Sequence, residues 1–391
     1  MATELTGDRL RSLAETRSPE GKVLSVFINL DPHEVPTPSA RDTEVRAVLD
    51  AASRRVRDHD SLTPAERTAL EGDIARIREH LAGAGADEMT GGARGLAIFA
   101  SEPASLFEVL PLPHAVAPEV RIADRPAIAA IARIAATAPW WILLADRRHA
   151  RLLSGTLDGL TEHWRTEDEV AGHHDQSPSH SRDQGGTSFE HHKRSAEKDV
   201  LDHLRGVSAE LRRLLEDEES AGLLIGGPAE TANALRGLLP TDLERAVAGQ
   251  FDVEVWDSNP EQVLKAARTL LTDVAESREQ ELVQRVSDSV GTGRGATGLG
   301  PVLEALSERR VETLLVQTGT RGYGVRCPGC GTLSISTSPT CAGCGTATEA
   351  VDDIVEEAVA QALTQGAATY VLPDGHELLA RASGIAAATR F

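Results

Sequence analysis

The chain has 391 residues, of which 40% are hydrophobic and 26% are charged, and its formal net charge is −20. This composition is typical of a globular protein with two to four domains, and the acidic balance argues against broad, non-specific binding to nucleic acid. The longest apolar runs are far shorter than the roughly 20 residues of a membrane span, and the polar N-terminus lacks a signal-peptide core. We therefore expect a cytoplasmic protein that does not engage a membrane.

The first 137 residues predict one α/β domain. A buried strand over residues 23–30 is followed by two helices, one over residues 42–58 and one that begins after Thr63–Pro64. Threonine as N-cap and proline in the first turn are typical of a helix start. The apolar run over residues 95–100 then returns the chain to the sheet, and residues 106–110 are predicted to pair with it as a hairpin.

Residues 138–277 predict a second α/β domain. The apolar run Trp140–Asp146 indicates a buried strand, and residues 147–153 indicate a second one. Strands and helices then alternate, which predicts a mostly parallel sheet with helices on its faces. The further elements are predicted strands at 222–227 and 251–255 and predicted helices from Glu190, at 228–239 and at 260–276.

A long polar loop separates the first strand pair from the helix predicted to begin at Glu190. Residues 173–189 have no hydrophobic period and are rich in Ser, Gly, Asp and His, so they cannot form a core. Between Gln176 and Lys198 the cations outnumber the anions, which makes this segment a positive island in an acidic chain. Such a loop places a small chemical group far from a rigid body.

Five histidines lie in or beside this loop, at positions 173, 174, 180, 191 and 192. Metal binding is one interpretation. However, no H-x₃-H pair or HExxH motif is present, and adjacent histidines on a helix point in different directions. A solvated or RNA-facing loop is the alternative. Further along the chain, the Gly226-Gly227-Pro228 turn indicates either a simple tight turn or an anion site at the following helix.

Residues 278–391 predict a third α/β unit with four cysteines. Helices are predicted over residues 278–290 and 300–307, and the glycine-rich segment between them is expected to be flexible. The cysteines form two CxxCG knuckles that suit a structural tetrahedral zinc ion, a closed site that stabilises rather than catalyses. Two redox pairs are the alternative. The expected zinc ligands are Cys327, Cys330, Cys341 and Cys344.

With these residues identified, the chain resembles the bacterial branch of the archaeo-eukaryotic peptide chain release factor and Pelota superfamily. The resemblance is carried by Ile142–Ala150, by residues 298–316, by the cysteine knuckles with residues 352–357, and by the terminus at 383–391. It implies three domains: a decoding-side domain (1–137), a middle domain (138–277) with a long extended loop, and an L7Ae-like α/β sandwich (278–391) with an inserted zinc ribbon (322–348). It also implies a ribosomal partner, with rRNA and tRNA, and a translational GTPase.

The chain departs from the release factors at the tip of the loop. Release factors carry Gly-Gly-Gln there, whereas this chain has Gln184-Gly185-Gly186. The reversed order would not place the amide and the backbone N–H in the same positions, and no Asn-Ile-Lys-Ser stop-codon motif is present. The leading hypothesis is therefore an A-site factor in hibernation, rescue or quality control. The residues expected to contact RNA are Arg182, Gly185, Gly186, His191, His192, Lys193, Arg194 and Lys198.

Two other functions remain open from the sequence. One is peptidyl-tRNA hydrolysis with Gln184 as the catalytic residue in an atypical loop. The other is a zinc-ribbon adaptor for RNA or protein that never enters the ribosome. All three functions fit the same fold, so the fold alone cannot decide between them.

Overall fold

The protein has a mixed α/β fold with several sheets. The computed structural model describes residues 7–18, 21–83, 93–135, 139–157, 159–167, 187–216 and 221–391, with side chains omitted at 133–135 and 187–196. The chain forms two compact units, one of residues 1–137 with 278–391 and the other of residues 138–277. In the described ranges, no helix has the length and apolar character needed to span a membrane.

The first unit begins with a four-stranded antiparallel sheet in the order β3-β2-β1-β4. All seven positions of β1 and of β2 are buried, because helices cover both faces of the sheet. The elements are α1 Gly7–Glu15, β1 Val23–Asn29, α2 Pro38–Arg57, α3 Pro64–Ala82, β2 Gly95–Ser101, β3 Leu106–Leu112, β4 Glu119–Ala123 and α4 Ala129–Ala135.

The predicted start of α3 and the predicted hairpin are both confirmed. The Thr63 hydroxyl accepts from the Glu66 amide at 3.2 Å, and the Glu66 carboxylate accepts from the Thr63 amide at 2.8 Å, which is a complete capping box. β2 and β3 pair antiparallel over their full lengths.

The second unit is built on a five-stranded sheet in the order β7-β6-β5-β8-β9. Helices α5, α6 and α7 pack on one face, and the first part of α8 packs on the other. The elements are β5 Trp140–Ala145, β6 His149–Thr156, β7 Gly159–Glu167, α5 Thr187–Leu214, β8 Gly222–Gly226, α6 Ala229–Arg236, α7 Thr241–Ala246, β9 Val247–Phe251 and α8 Pro260–Gly291.

The sheet of the second unit is mixed, which corrects the parallel-rich prediction. β5–β8 and β8–β9 are parallel, whereas β5–β6 and β6–β7 are antiparallel. The unpredicted strand β7 causes the difference. Its residues alternate between exposed and half-buried positions, so its sequence shows no apolar run. β9 also begins four residues before the predicted strand, because α7 runs directly into it.

Two helix boundaries also differ from the predictions. α5 begins at Thr187, so residues 187–189 belong to the helix and not to the predicted loop. α8 is one helix of 32 residues, where the sequence predicted two helices separated at Ser277. No glycine or proline interrupts residues 261–290, so nothing ends the helix locally.

The C-terminal part of the first unit has a four-stranded sheet in the order β10-β16-β11-β15 and a small sheet in the order β13-β12-β14. The glycine-rich segment that was predicted to be flexible contributes β10, which pairs with β16. The elements are β10 Gly295–Thr297, α9 Leu299–Ser307, β11 Val311–Gln317, β12 Gly324–Arg326, β13 Leu333–Ser334, β14 Glu349–Val351, α10 Ile354–Thr364, β15 Ala368–Leu372, α11 Glu377–Arg381 and β16 Ile385–Thr389.

One hydrophobic core joins the two chain segments of the first unit. Phe27 and Phe99 from the first sheet belong to the same buried cluster as Val355 and Val359 of α10. A second cluster lies between the first sheet and helices α2 and α3. The first sheet is therefore sandwiched between its own helices and the C-terminal part of the chain.

Candidate metal centre and loop-to-helix segment

The two cysteine knuckles have the same sequence pattern and the same backbone geometry. Cys327-Pro-Gly-Cys-Gly-Thr332 and Cys341-Ala-Gly-Cys-Gly-Thr346 differ at one position. In each knuckle the first cysteine donates its amide to the threonine carbonyl, at 2.9 and 2.8 Å, and accepts from the last glycine at 2.9 Å. These glycines, Gly331 and Gly345, have φ values of 76° and 74°, which favour glycine.

The four sulfur atoms lie together, as the sequence predicted. All four Sγ atoms are within 4.8 Å of one another. Sγ of Cys327 is 3.4 Å from that of Cys344, and Sγ of Cys330 is 3.6 Å from that of Cys341. A tetrahedral ion with metal–sulfur bonds of about 2.3 Å needs sulfur separations of roughly 3.8 Å. The donor set and its spacing therefore fit a four-coordinate thiolate metal site.

Hydroxyl and amide donors surround the more exposed cysteines. The Thr332 hydroxyl lies 3.1 Å from Sγ of Cys330, and the Thr346 hydroxyl lies 3.3 Å from Sγ of Cys344. The Thr332 hydroxyl and amide lower the pKa of Cys330 to about 6, and the Thr346 hydroxyl and amide lower the pKa of Cys344. These donors favour the thiolate form, which is the form that binds a metal.

The predicted catalytic and RNA-binding loop is mostly outside the described residues. This applies to Arg182, Gln184, Gly185 and Gly186, and also to His173, His174 and His180. For His191, His192, Lys193 and Arg194 the structure describes the helical backbone of α5 but not the side chains. The role of the histidines, including metal binding, therefore stays a prediction.

The described part of α5 has a packed end and an open end. Leu204, Val207 and Leu211 follow helical spacing and are buried against the sheet of the second unit. Towards the N-terminus, residues 197–199 are all exposed, including the predicted RNA contact Lys198. Three consecutive helical residues point in directions about 100° apart. This turn is thus exposed over much of its circumference, whereas Val200 directly after it is half-buried against the core.

A cleft lies in the second unit beside the Gly226-Gly227-Pro228 turn, for which the sequence indicated either a tight turn or an anion site. It has a volume of about 470 Å³ and opens where β5 and β8 end side by side. The only sequence signals were the polar residues directly after a buried strand and the Gly226-Gly227-Pro228 turn. The cleft is lined by Asp146, Arg147, Arg148, His149, Pro228, Glu230 and Thr231.

Comparison with known proteins finds a family model that is similar to most of the second unit. Residues 126–271 match the model of Bacterial archaeo-eukaryotic release factor family 10. A Peptide chain release factor subunit 1 from Methanocaldococcus jannaschii is 32% identical over 132 residues, which cover 32% of this chain and 31% of that protein. The chain thus aligns with about a third of this curated relative. The resemblance predicted from the sequence is confirmed.

Solved structures of similar proteins include two archaeal factors. An archaeal translation termination factor is 17% identical, with 99% of each chain covered and a TM-score of 0.27. Pelota from Archaeoglobus fulgidus is 16% identical, with 76% of this chain and 79% of that chain covered and a TM-score of 0.33.

Proposed function

Because residues 126–271 match the model of Bacterial archaeo-eukaryotic release factor family 10, we propose that the chain is a translation factor that binds the ribosomal A site. The observation that carries the proposal is the extent of the family match. It includes residues 168–186 and the whole of α5. The resemblance implies that the loop before α5 would reach the peptidyl-transferase centre of the ribosome. The role that fits best is hibernation, rescue or quality control rather than termination.

The loop sequence supports a role without hydrolysis. Water attack on a peptidyl-tRNA ester needs an amide and a backbone N–H held in fixed positions around the reacting carbon. Gln184-Gly185-Gly186 presents these groups in the reverse order to Gly-Gly-Gln. Gly185 and Gly186 would still allow the backbone to approach RNA closely. The loop would then occupy the peptidyl-transferase centre of the ribosome without activating water.

Basic residues at the open end of α5 supply the RNA contacts in this proposal. Lys198 is exposed there, and His191, His192, Lys193 and Arg194 lie on the same helix, with Arg182 in the loop before it. Phosphate contacts of this kind fix the register of a protein on RNA and make binding depend on salt. They explain how a chain with a net charge of −20 can still bind the ribosome locally.

The C-terminal part of the first unit has a separate role in the proposal. We assign it as an L7Ae-like sandwich with a zinc ribbon over residues 322–348, whose four thiolates hold a structural zinc ion. The resemblance implies that this part would contact a translational GTPase. Residues 1–137 would face the decoding side of the ribosome. The protein would then act in the cytoplasm.

Co-sedimentation with vacant bacterial ribosomes tests the proposal. The full chain should travel with the ribosome at modest salt, and the triple variant Lys193→Glu, Arg194→Glu, Lys198→Glu should not. Arg212→Glu is the matched control, because Arg212 is an exposed cation on the packed end of the same helix. Absence of the wild-type chain from the ribosomal peak would reject the proposal and favour an adaptor. Equal loss of binding in the control would reject the assignment of contacts.

A peptidyl-tRNA release assay on the bound fraction separates a non-catalytic factor from a hydrolase. The proposal predicts binding without release. Release that Gln184→Ala abolishes would instead show that the displaced glutamine is catalytic and that the protein is a peptidyl-tRNA hydrolase.

A further inference from the structure

The cleft lies between the C-terminal end of β5 and the N-terminal end of α6. Its two arginine side chains are weakly paired or form no ion pair within the described residues. Arg148 is exposed, and within the described ranges it forms no ion pair. Arg147 is 3.4 Å from Glu230, but their side chains are 71% and 86% exposed. An ion pair this open to water holds its partners weakly. Both guanidinium groups are therefore available to a ligand.

The start of α6 contributes further donors to the same cleft. Its N-cap is Pro228, which supplies no side-chain acceptor, so the first-turn amides lack a cap. Thr231 lies in this turn and lines the cleft, although only 5% of the residue is exposed. Its hydroxyl forms no hydrogen bond with any residue that the structure describes. The side chain is therefore mostly buried, but its oxygen is not sealed from the cleft and is free to donate to a ligand.

Two glycines hold the helix start close to the end of β5. Gly227 has a φ of 132°, and a Cβ there would lie 2.3 Å from the carbonyl oxygen of Ala145. A Cβ on Gly226 would lie 2.6 Å from a methyl group of Leu144. Side chains at these positions would strain the packing of the turn against the end of β5. The glycines therefore allow the turn before α6 to lie beside the last residues of β5.

The Asp146 carboxylate accepts hydrogen bonds within its own turn, on the side of the cleft opposite α6, and so does not repel an anion in the cleft. It accepts from the amides of Arg148 and His149 at 2.7 and 2.8 Å, and its other oxygen lies 3.0 Å from Nδ1 of His149. Burial works against ionisation, but these hydrogen bonds outweigh it and lower the pKa of Asp146. Its charge is used within the turn. The imidazole of His149 is also held against Trp256, with ring centroids 4.6 Å apart.

We infer that this cleft binds a phosphate group, either of a free phosphate ester such as a nucleotide or of an RNA backbone. Arginine forks and uncapped helix amides are the donors that phosphate oxygens prefer, and the Thr231 hydroxyl adds a neutral donor. Glu230 pairs weakly with Arg147, and the phosphate replaces Glu230 as the partner of Arg147 when it binds. The inference concerns the second unit alone and does not depend on ribosome binding.

Isothermal titration of the full chain tests the inference, with inorganic phosphate, adenosine monophosphate and a short oligoribonucleotide as separate probes. Phosphate should bind saturably at low ionic strength. Arg148→Gln should weaken binding by about tenfold and Thr231→Val by several fold, because each removes a donor to the ligand. Glu230→Gln should tighten binding, because it removes the competing carboxylate. Arg212→Gln, an exposed arginine elsewhere in the second unit, should bind like the wild type.

The other two probes identify the source of the phosphate. Tighter binding of the monophosphate than of the oligonucleotide indicates a free ester, and the reverse order indicates RNA. No saturable binding of any probe would overturn the inference, and so would equal affinity in the wild type and in Arg148→Gln. Because Arg148 is exposed, this variant tests the site even if Thr231→Val fails to fold.

Discussion

Nη1 of Arg121 in strand β4 lies 3.3 Å from Oε2 of Glu356 in helix α10, although the two residues are 235 positions apart in the chain. The other oxygen of Glu356 accepts from the backbone amides of Ile128 and Ala129. These bonds satisfy donors near the start of α4 that would otherwise be buried without a partner. The N-terminal sheet and the C-terminal helix are thus joined by polar contacts as well as by the shared hydrophobic core.

Glu356→Ala should destabilise the first unit by about 3 kcal/mol, because it leaves the buried amide of Ile128 and the half-buried amide of Ala129 without their acceptor and removes one of the carboxylates paired with Arg121. Denaturant unfolding of the full chain measures the change. Glu377→Ala is the control. Glu377 pairs with Arg381 on the surface, with side chains 75% and 78% exposed, so its loss should cost less than about 1 kcal/mol. Equal losses in the two variants would contradict the role of Glu356.

The stability of the first unit should also depend on the protonation of Glu356. Burial raises the pKa of Glu356 to about 7, from 4.5 for an ordinary glutamate, against the opposing effect of its donors. Between these values the folded state holds the proton more tightly than the unfolded state does. The contribution of this group to the free energy of unfolding therefore falls as pH rises from 4.5 to about 7, and is constant above.

Comparison with Glu356→Gln isolates this effect, because glutamine does not titrate. The wild type should lose stability relative to the variant across that range when unfolding is measured at several pH values between about 5 and 8. A difference that is independent of pH would show that Glu356 is ionised throughout and that its donors outweigh burial.

A second buried charge stabilises the second unit. Arg151 in β6 is 1% exposed and pairs with Glu162, and it also donates to the carbonyls of Val255 and Ser258 at 2.9 and 2.6 Å. It thereby links the loop after β9 to the antiparallel strands β6 and β7. Arg151→Met should cost roughly 3 to 5 kcal/mol, because the carbonyls and the carboxylate lose a shared donor.

Arg165→Met is the matched control for Arg151→Met in thermal and denaturant unfolding. Arg165 pairs with the same Glu162, but its side chain is 50% exposed. Its loss should therefore cost less than about 1 kcal/mol. A small loss in Arg151→Met would mean that the loop is held by its apolar contacts alone.

The parts of the fold that the sequence predicted well are those with local causes. The cysteine knuckles and the Thr63 capping box are set by residues within six positions of one another, and the structure contains both. The strand predicted over residues 23–30 is observed as Val23–Asn29, because most of its residues are apolar and it lies between turn-forming segments.

The parts that were missed depend on partners far along the chain. β7 is visible only through its pairing with β6, because its own residues are not buried, and β10 exists because β16 lies beside it. The cleft likewise needs Asp146–His149 and Pro228–Thr231 to meet, which follows from the parallel pairing of β5 with β8. Sequence patterns report local preferences, whereas these features are set by tertiary contacts.

Two glycine substitutions should change stability in opposite directions. Gly206 lies in α5, and a Cβ added there would meet no atom within 4 Å beyond the helix itself, so Gly206→Ala should stabilise the protein by about 0.5 to 1 kcal/mol through helix propensity. Gly227→Ala should destabilise it by about 2 kcal/mol or more, because the Cβ would clash with the Ala145 carbonyl at a φ that favours glycine. Denaturant unfolding of the two variants measures both changes in the free energy of unfolding. Destabilisation of both by similar amounts would contradict the backbone argument.

The cysteine centre should hold one zinc ion per chain, and the stability of the fold should depend on that ion. Elemental analysis of purified protein measures the metal content, and a strong chelator should lower the unfolding midpoint of the full chain. Cys327→Ser should lose the metal and destabilise the first unit, because Cys327 is 1% exposed and is one of the four sulfur ligands. Thr332→Val should retain the metal with reduced affinity, because it removes only the hydroxyl beside Cys330.

Ser336→Ala is the control for the cysteine centre, because Ser336 is an exposed residue between the two knuckles. It should leave both the zinc content and the unfolding midpoint unchanged. Protein purified with no metal and with a disulfide between knuckle cysteines would instead favour the redox interpretation. The distinction is direct, because a disulfide brings two sulfur atoms to about 2 Å, whereas four thiolates around a metal stay roughly 3.8 Å apart. The observed separations of 3.4 and 3.6 Å lie close to the metal value.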